Sequence, residues 1–271
     1  MSALSFSLKK PLQFAINCAA LTPDGLANRT LNEIAALTLH HGKQAVRVDE
    51  LFDISGQDPT SLRFLNATQQ LDYLGANMRN GRIDISGDAG AYLGFGMKGG
   101  EIHCLGNTQD LAACNMQNGL MVIHGNTGDF LGGAAAGLRK GMLGGTVVVK
   151  GHAGDRVGDQ MRRGLILIEG NAGDYCASRM LAGTIGVLGK VGAYAGFSMH
   201  RGTLLLTTQP DLHPTMQACG SHTLPFLNLL YKSFAPYSQA FASLKSLRAA
   251  RWLGDAANKG MGEILVISDL N

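Results

Sequence analysis

The chain has 271 residues, of which 45% are hydrophobic and 16% are charged, and its formal net charge is +3. This composition excludes intrinsic disorder, and so small a net charge argues against a nucleic-acid-binding protein. Glycine is about twice as frequent as usual, with 37 residues, but a collagen-like chain is excluded because no G-X-Y period is present.

The sequence predicts no membrane span, and its N-terminal region predicts no signal peptide. No apolar run reaches the roughly 18–20 residues that cross a bilayer. Lys9, Lys10 and Pro11 interrupt the first segment before an apolar signal-peptide core can form. A cytoplasmic protein without membrane association is therefore expected. The chain has five cysteines but no C-x-x-C pair, which favours reduced thiols over a disulfide framework or a zinc site.

Residues 1–61 are predicted to form a mixed N-terminal cap. Apolar alternation predicts a strand pair around Phe6 and Phe14. A capping box from Thr30 to Glu33 predicts a short helix that stops at Gly42. Entry strands are expected between residues 46 and 54.

A repeat of 19 residues dominates the middle of the chain, residues 62–206, with a weaker copy over residues 62–77. Methionine recurs every 19 residues, except for one interval of 26 residues. These methionines are Met78, Met97, Met116, Met142, Met161, Met180 and Met199. A glycine follows each methionine three residues later, and another follows nine residues later in the first six repeats. Self-similarity at a fixed period is the sequence signature of a repeat architecture.

Each repeat contains one clear β pattern. Apolar residues occupy the fifth and seventh positions after each methionine, as in Ile83 and Ile85 or Ile166 and Ile168. A 19-residue unit cannot bury an apolar face alone, so we expect the units to stack. The fold class predicted here is all-β: a right-handed parallel β-helix of about seven 19-residue coils with glycine corners. The methionines are predicted to fill its core as an inward row.

Residues 207–271 are predicted to be a helical C-terminal extension, because the period stops after Leu206. Prolines punctuate the segment, which favours two helices over about residues 225–234 and 237–253, the second holding Trp252. A last strand from Ile264 to Ile267 is expected to pair at an edge.

The repeats also contain the motif G-x-x-G-x-x-x-G, complete in four copies. These copies are Gly87/Gly90/Gly94, Gly125/Gly128/Gly132, Gly151/Gly154/Gly158 and Gly189/Gly192/Gly196. The motif resembles the repeat shared by the C subunits of formylmethanofuran dehydrogenases and the C-terminal domain of the glutamate synthase large subunit. The size of the chain and its C-terminal extension are more similar to these C subunits, particularly to that of the bacterial formyltransferase/hydrolase complex.

This resemblance implies a non-catalytic scaffold subunit in one-carbon metabolism. In that complex a D subunit transfers a formyl group from formyl-tetrahydromethanopterin to methylofuran, and an amidohydrolase-like A subunit releases formate. The implied partners are the A, B and D subunits, with no nucleic acid and no membrane. No tightly bound cofactor is implied, although the glutamate-rich tail of methylofuran could be guided by this chain. The alternatives are the C subunit of a molybdenum or tungsten formylmethanofuran dehydrogenase, or an independent β-helical enzyme.

The residues themselves indicate no catalytic or metal site. The eight histidines are scattered and show no ligand spacing such as H-E-x-x-H. Asp110, Asp129, Asp155 and Asp174 recur at one position of the repeat and should stack. They could bind a cation, but the favoured interpretation is that each accepts backbone hydrogen bonds at its own corner.

Two surfaces are predicted to carry function. The outward strand positions become apolar from the third coil, and we expect the chain's own helices or a partner subunit to cover them. The proposed interface residues are Leu120, Val122, Val148, Leu165, Leu167 and Leu205. Residues 139–206 hold nine basic and four acidic residues, which predicts a positive stripe. The residues alone favour a solvated face, or salt bridges from Arg156 or Arg179 to the aspartate column, whereas the resemblance implies a track for a cofactor tail. The proposed cofactor-binding residues are Arg139, Lys140, Arg162, Arg163, Arg179, Lys190 and Arg201.

Overall fold

The structure is a computed structural model in which residues 2–267 are described. The strands are β1 Ala3–Leu8, β2 Ile16–Asn17, β3 Thr38–His41, β4 Gln44–Arg47, β5 Phe52–Ser55, β6 Asp58–Ala67, β7 Leu71–Asp72, β8 Arg82–Gly87, β9 Glu101–Cys104, β10 Leu120–Ile123, β11 Thr146–Val149, β12 Leu165–Ile168, β13 Thr184–Val187, β14 Thr203–Leu206, β15 Gln217–Thr223, β16 Arg248–Leu253 and β17 Glu263–Ile267. The helices are α1 Pro23–Leu26, α2 Leu31–Ala35, α3 Val48–Leu51, α4 Phe226–Phe234 and α5 Gln239–Ala242, and a 3₁₀ turn covers Ala256–Asn258.

Thirteen of these strands form one mixed sheet. Its order is β15, β16, β17, β14, β13, β12, β11, β10, β9, β8, β6, β1, β5. The inner neighbours from β17 to β1 pair in parallel, whereas β1–β5, β16–β17 and β15–β16 are antiparallel. A second sheet of four short strands has the order β4, β3, β2, β7 and lies in the N-terminal region.

The predicted right-handed parallel β-helix is therefore wrong as a fold class, and a mostly β fold built on a 13-stranded mixed sheet replaces it. Each central repeat contributes one strand, of four residues in all but the first, instead of several. Much of the remaining repeat cannot extend, because residues such as Tyr175, Ala177 and Arg179 adopt positive φ. Away from the sheet, successive repeats meet through single bridges such as Ala153 to Ala172.

The 19-residue spacing does set the strand register. Ile102, Met121, Val147 and Ile166 are aligned in successive strands. The seven extra residues between Met116 and Met142 leave this alignment intact, because β10 pairs with β11 without a shift.

The methionine and glycine signals have one joint explanation. All seven repeat methionines are fully buried in the main core cluster. The tip of each methionine from Met78 to Met180 reaches a glycine in the next repeat, three residues after that repeat's own methionine. For Met161 this glycine is Gly183, where an added Cβ would lie 2.9 Å from Met161 Cε. Gly183 also has φ +112°, which an L side chain rarely adopts.

The N-terminal region follows its predicted local signals only partly. The capping box is present, since Thr30 accepts from the Glu33 backbone N–H and Glu33 accepts from the Thr30 backbone N–H. The helix ends at Ala35, however, and residues 38–41 form β3. β1 joins the main sheet beside β6.

The predicted helical C-terminal extension is also corrected. Helix α4 matches the first predicted helix, but the second is only the short α5, and Trp252 lies in strand β16. β17 is not an edge strand, because it pairs with both β14 and β16. Strand β16 covers the side of β17 that would otherwise expose unpaired backbone groups.

Candidate functional site

A basic cavity lies at the turns that follow three of the buried methionines, Met161, Met180 and Met199. It has a volume of about 400 Å³. Its lining residues are Arg162, Arg163, Leu181, Ala182, His200, Arg201, Asn258, Lys259 and Met261. Within residues 2–267, no Asp or Glu side chain lines this cavity. We call the group Arg162, Arg163, His200, Arg201 and Lys259 the basic corner.

The repeat places these side chains together. The backbone N–H groups of Arg162, Leu181 and His200 donate to the methionine carbonyls of the preceding repeats, at 2.8, 2.8 and 2.9 Å. Residues 19 apart therefore stack, and side chains of residues 38 apart are separated by roughly 10 Å, two strand spacings. Arg162, Arg163 and Arg201 are exposed at these turns, so their charges face solvent.

The C-terminal segment completes the cavity. Asp255 accepts from the backbone N–H groups of Ser198 and Ala257, at 2.9 and 3.0 Å, and so fixes the 3₁₀ turn against the repeat. Although burial opposes ionisation, hydrogen bonds from Thr215, Ser198, Ala257 and Asn258 hold the pKa of Asp255 below its usual value. The turn brings Lys259 to the basic corner.

His200, Asn258, Lys259 and Met261 also line this site, although the sequence does not predict them as members. One signal was available. Gly262 precedes the apolar alternation of Ile264 and Val266 as Gly202 precedes that of Leu204 and Leu206. This similarity indicates one more strand in register, which β17 supplies beside β14.

The other four predicted cofactor-binding residues lie elsewhere. Arg139 and Lys140 are exposed on the inserted loop. Lys190 is exposed at a different turn, where its backbone N–H donates to Asn171 Oδ1 at 2.8 Å. The structure therefore brings together three of the seven predicted residues, and a binding role for all seven stays a prediction.

Arg179 is not a free cation. Its Nε lies 2.9 Å from Asp159 Oδ1, and its Nη2 also contacts Asp159 Oδ2. Asp159 is fully buried and accepts a further hydrogen bond from Ser178 at 2.7 Å. The hydrogen bond to Asp159 raises the pKa of Arg179, so this pair holds two neighbouring repeats together.

The aspartate column has a structural use. Oδ1 of Asp110, Asp129 and Asp155 accepts the backbone N–H of the next aspartate in the column, in each case at 2.8 Å. The hydrogen bonds run between repeats, not within one corner. A second column does the same elsewhere in the turn region, where Asn126 Oδ1 accepts from the His152 backbone N–H at 2.7 Å.

These columns explain two glycines of the G-x-x-G-x-x-x-G motif. A Cβ at Gly173 would lie 2.1 Å from Asp155 Oδ1, and one at Gly170 would lie 2.5 Å from His152 Nδ1. Among residues 2–267, no group of three His, Cys, Asp or Glu side chains is placed to hold a metal ion.

Part of the predicted apolar interface lies under the chain's own C-terminal segment. Leu167 and Leu205 are buried in a second hydrophobic cluster. Their partners in that cluster include Leu227, Tyr231, Phe234 and Phe241 of α4 and α5. Val148 is also fully buried, and Leu165 packs against the same cluster. Leu120 and Val122 are half-buried, and a partner contact at these two residues stays a prediction.

The comparison with protein families matches the repeat region. The family described as the GXGXG motif matches residues 65–218, which is more than half of the chain. The chain belongs to the GXGXG motif family. This match confirms the resemblance that the repeated glycine spacing predicts.

Among curated relatives, this GXGXG-family chain is similar to the C subunits of two archaeal enzymes. It is 29% identical over 95 residues to the C subunit of the tungsten-containing formylmethanofuran dehydrogenase 2 of Methanococcus maripaludis, which covers 34% of this chain and 35% of that protein. It is 33% identical over 90 residues to the C subunit of the molybdenum-containing formylmethanofuran dehydrogenase 1 of Methanosarcina barkeri, covering 31% and 30%. The match spans about a third of the length of these relatives.

A solved structure matches the GXGXG-family chain over nearly its full length. It is the crystal structure of the formyltransferase/hydrolase complex from Methylorubrum extorquens in complex with methylofuran. One chain of that complex has a TM-score of 0.92 and 34% identity, and the match covers 97% of this chain and 99% of that chain. Within residues 2–267, no helix is long and apolar enough to cross a membrane.

Proposed function

We propose that this protein is the non-catalytic C subunit of a formyltransferase/hydrolase complex. The observation that carries the proposal is the full-length similarity to one chain of such a complex, at 34% identity. The archaeal dehydrogenase subunits match over only about a third of their length, which favours the hydrolytic complex over a redox enzyme. The proposed partners are the A, B and D subunits, in a cytoplasmic assembly.

The proposed reaction of the complex is formyl transfer from formyl-tetrahydromethanopterin to methylofuran, followed by release of formate. The proposed role of this chain is to dock the transferase and hydrolase subunits. Its extended sheet suits that role, because residues 19 apart are held in fixed register along its length.

The basic corner is the proposed site for the glutamate-rich tail of methylofuran. The family resemblance implies that such a tail is present on the cofactor. The cavity combines Arg162, Arg163, Arg201 and Lys259 and has no carboxylate in its described lining, so its field favours a polyanion. Exposed cations bind a flexible chain of carboxylates loosely, and salt screens them over roughly 8 Å at physiological ionic strength.

The test is steady-state kinetics of the assembled complex with methylofuran as the varied substrate. Replacing Arg162, Arg163 and Arg201 together by Gln should raise the KM for methylofuran by about three- to tenfold, because exposed ion pairs are individually weak. Salt should raise the wild-type KM and have little effect on the variant.

The matched control is Lys190→Gln, which removes an exposed charge at a different turn. The control should keep the wild-type KM if the basic corner alone holds the tail. An unchanged KM and an unchanged salt dependence in the triple variant would contradict tail binding at the basic corner. A wild-type chain that never assembles with the A and D subunits would contradict the proposed subunit role itself.

A further inference from the structure

A column of seven side chains, five of them aromatic, runs along a face that none of the preceding functions uses. Its members are the repeat-related residues Tyr73, Tyr92, Leu111, Phe130, Arg156, Tyr175 and Tyr194, which we call the aromatic column. All seven have left-handed backbone with φ between 58° and 63°. None is glycine, although this conformation costs roughly 1 kcal/mol or more for an L residue.

Most side chains of the aromatic column stack on a neighbour in the column. The ring centroids of Tyr73 and Tyr92 are 4.6 Å apart, and those of Tyr175 and Tyr194 are 4.9 Å apart. The guanidinium carbon of Arg156 lies 4.6 Å from the Tyr175 ring and 5.8 Å from the Phe130 ring. Cation–π contacts of this kind hold the guanidinium plane in place.

Arg156 is held without a hydrogen-bonding partner. Among residues 2–267 its guanidinium has no carboxylate or carbonyl acceptor, and the side chain is only partly buried. Arg179, which lies 23 residues later, is by contrast paired with the buried Asp159. A preoriented guanidinium with unused donors matches the geometry of a carboxylate, which accepts two parallel hydrogen bonds from Arg.

A largely apolar hollow lies against Phe130, the ring over which the Arg156 guanidinium sits. It has a volume of about 370 Å³ and is lined by Tyr92, Leu111, Phe130 and the inserted loop from Ala134 to Leu138, together with Gln160 and Arg179, whose guanidinium is paired with Asp159. The Leu138 side chain is 40% exposed at its rim. The insertion thus forms one wall of a hollow that the regular repeat would not have.

The face that carries the aromatic column is exposed, whereas the outward face of the strands is covered. Tyr194 and Phe197 are 44% and 36% exposed, whereas Leu167 and Leu205 lie under α4 and α5. Tyr, Phe and Arg are the residues enriched in protein–protein interfaces, and Tyr and Arg are frequent hot spots.

We propose that the aromatic column and the adjacent hollow form the docking surface for a partner protein subunit. The partner presents an apolar side chain to the hollow and a carboxylate side chain to Arg156. This inference rests on the proposed function, because it takes the partner from the same complex.

A charged cofactor tail is a poor occupant of this face. Asp110, Asp129, Asp155 and Asp174 each stand directly before a member of the aromatic column, and three of the four are exposed. Their repulsion accumulates over the many charges of a polyanion, whereas a single partner carboxylate at Arg156 also gains the attraction of the guanidinium. The lining of the basic corner has no carboxylate. The two surfaces therefore separate tail binding from subunit docking.

Site-specific photo-crosslinking in the co-expressed complex tests the proposal. A benzophenone amino acid is placed at Leu138 or at Tyr194, and at Leu229 on α4 as the control, where the side chain is 70% exposed. The first two positions should crosslink to one partner protein of the complex, and Leu229 should not crosslink to that partner. Arg156→Gln should weaken association of that partner by about tenfold or more, as removal of an interface arginine does, while Lys43→Gln should not.

The outcomes are distinct. Crosslinks confined to Leu229, crosslinks to a second copy of this chain, or no crosslink at Leu138 and Tyr194 in an assembled complex would each overturn the inference. The inference also fails if Arg156→Gln raises the KM for methylofuran without affecting assembly, since the tail would then be the occupant. If the wild-type chain co-purifies with no other protein of the complex, the proposed function fails together with this inference.

Discussion

Replacing Gly173 by Ala tests how the turns are held between repeats. A Cβ at this position would lie 2.1 Å from Asp155 Oδ1, 2.8 Å from the Gly154 carbonyl carbon and 2.9 Å from the Asp155 backbone nitrogen. The carboxylate must move away, and its 2.8 Å hydrogen bond from the Asp174 backbone N–H is then lost. The backbone atoms of Gly154 cannot rotate away, so the two repeats must also separate.

The expected loss of unfolding free energy is about 2–4 kcal/mol. About 1 kcal/mol comes from the hydrogen bond, and about 1–3 kcal/mol comes from the steric overlap. Equilibrium unfolding of the full chain in urea measures this loss. The control is Gly137→Ala: Gly137 has no atom within 4 Å of the added Cβ but has φ +83°, so only backbone strain of about 1 kcal/mol is expected.

A double-mutant cycle identifies the cause. In an Asp155→Ala background the clash with the carboxylate is absent, and the hydrogen bond has already been lost. Gly173→Ala should therefore cost at least about 1 kcal/mol less there than in the wild-type chain. Additive effects, or a Gly173→Ala variant no less stable than Gly137→Ala, would refute the interpretation of these glycines.

Three further predictions concern the core and the C-terminal turn. Arg179→Gln should lower the unfolding free energy by about 2–3 kcal/mol, because it leaves the buried Asp159 without its ion pair; a loss below about 0.5 kcal/mol in urea unfolding would contradict this. Thiol titration of the native chain at about pH 7.5 should detect only Cys219, since burial raises the pKa of the other four, to about 12 for Cys176; fast reaction of more than one thiol would contradict it. The folded-state pKa of Asp255 is depressed, so its contribution to stability is present above the unfolded value of about 3.9 and is lost as the pH falls through the folded value. Urea unfolding at about pH 7 and about pH 3 should show a smaller acid-induced loss for Asp255→Asn than for the wild-type chain.

The repeat region was largely predictable from the sequence in its register and core. The spacing of Met161 and Met180 places both in the core, and Ile166 aligns with Ile185 as the same spacing requires. Local periodicity determines these features because each repeat pairs with its neighbour. The fold class was not predictable in this way, since the antiparallel strands at both ends of the sheet carry no copy of the repeat.

The features that the sequence did not predict share a physical cause, which is contact between residues distant in sequence. Residues 248–253 contain Ala, Arg and Leu, which favour helix, but β17 offers an edge that only a strand can pair with. Lys259 reaches the basic corner from about 60 residues beyond His200, and only the position of β17 brings it there. The ion pair between Arg179 and Asp159 joins residues 20 apart, one more than the repeat.

The most direct test of the proposed role is purification of the native, tagged protein with mass identification of its partners. We expect a stable complex that contains a formyltransferase and an amidohydrolase-like protein in fixed stoichiometry. The complex should transfer formyl groups and release formate, and the isolated chain should do neither. Recovery of the chain alone, or catalysis by the isolated chain, would contradict the proposed role.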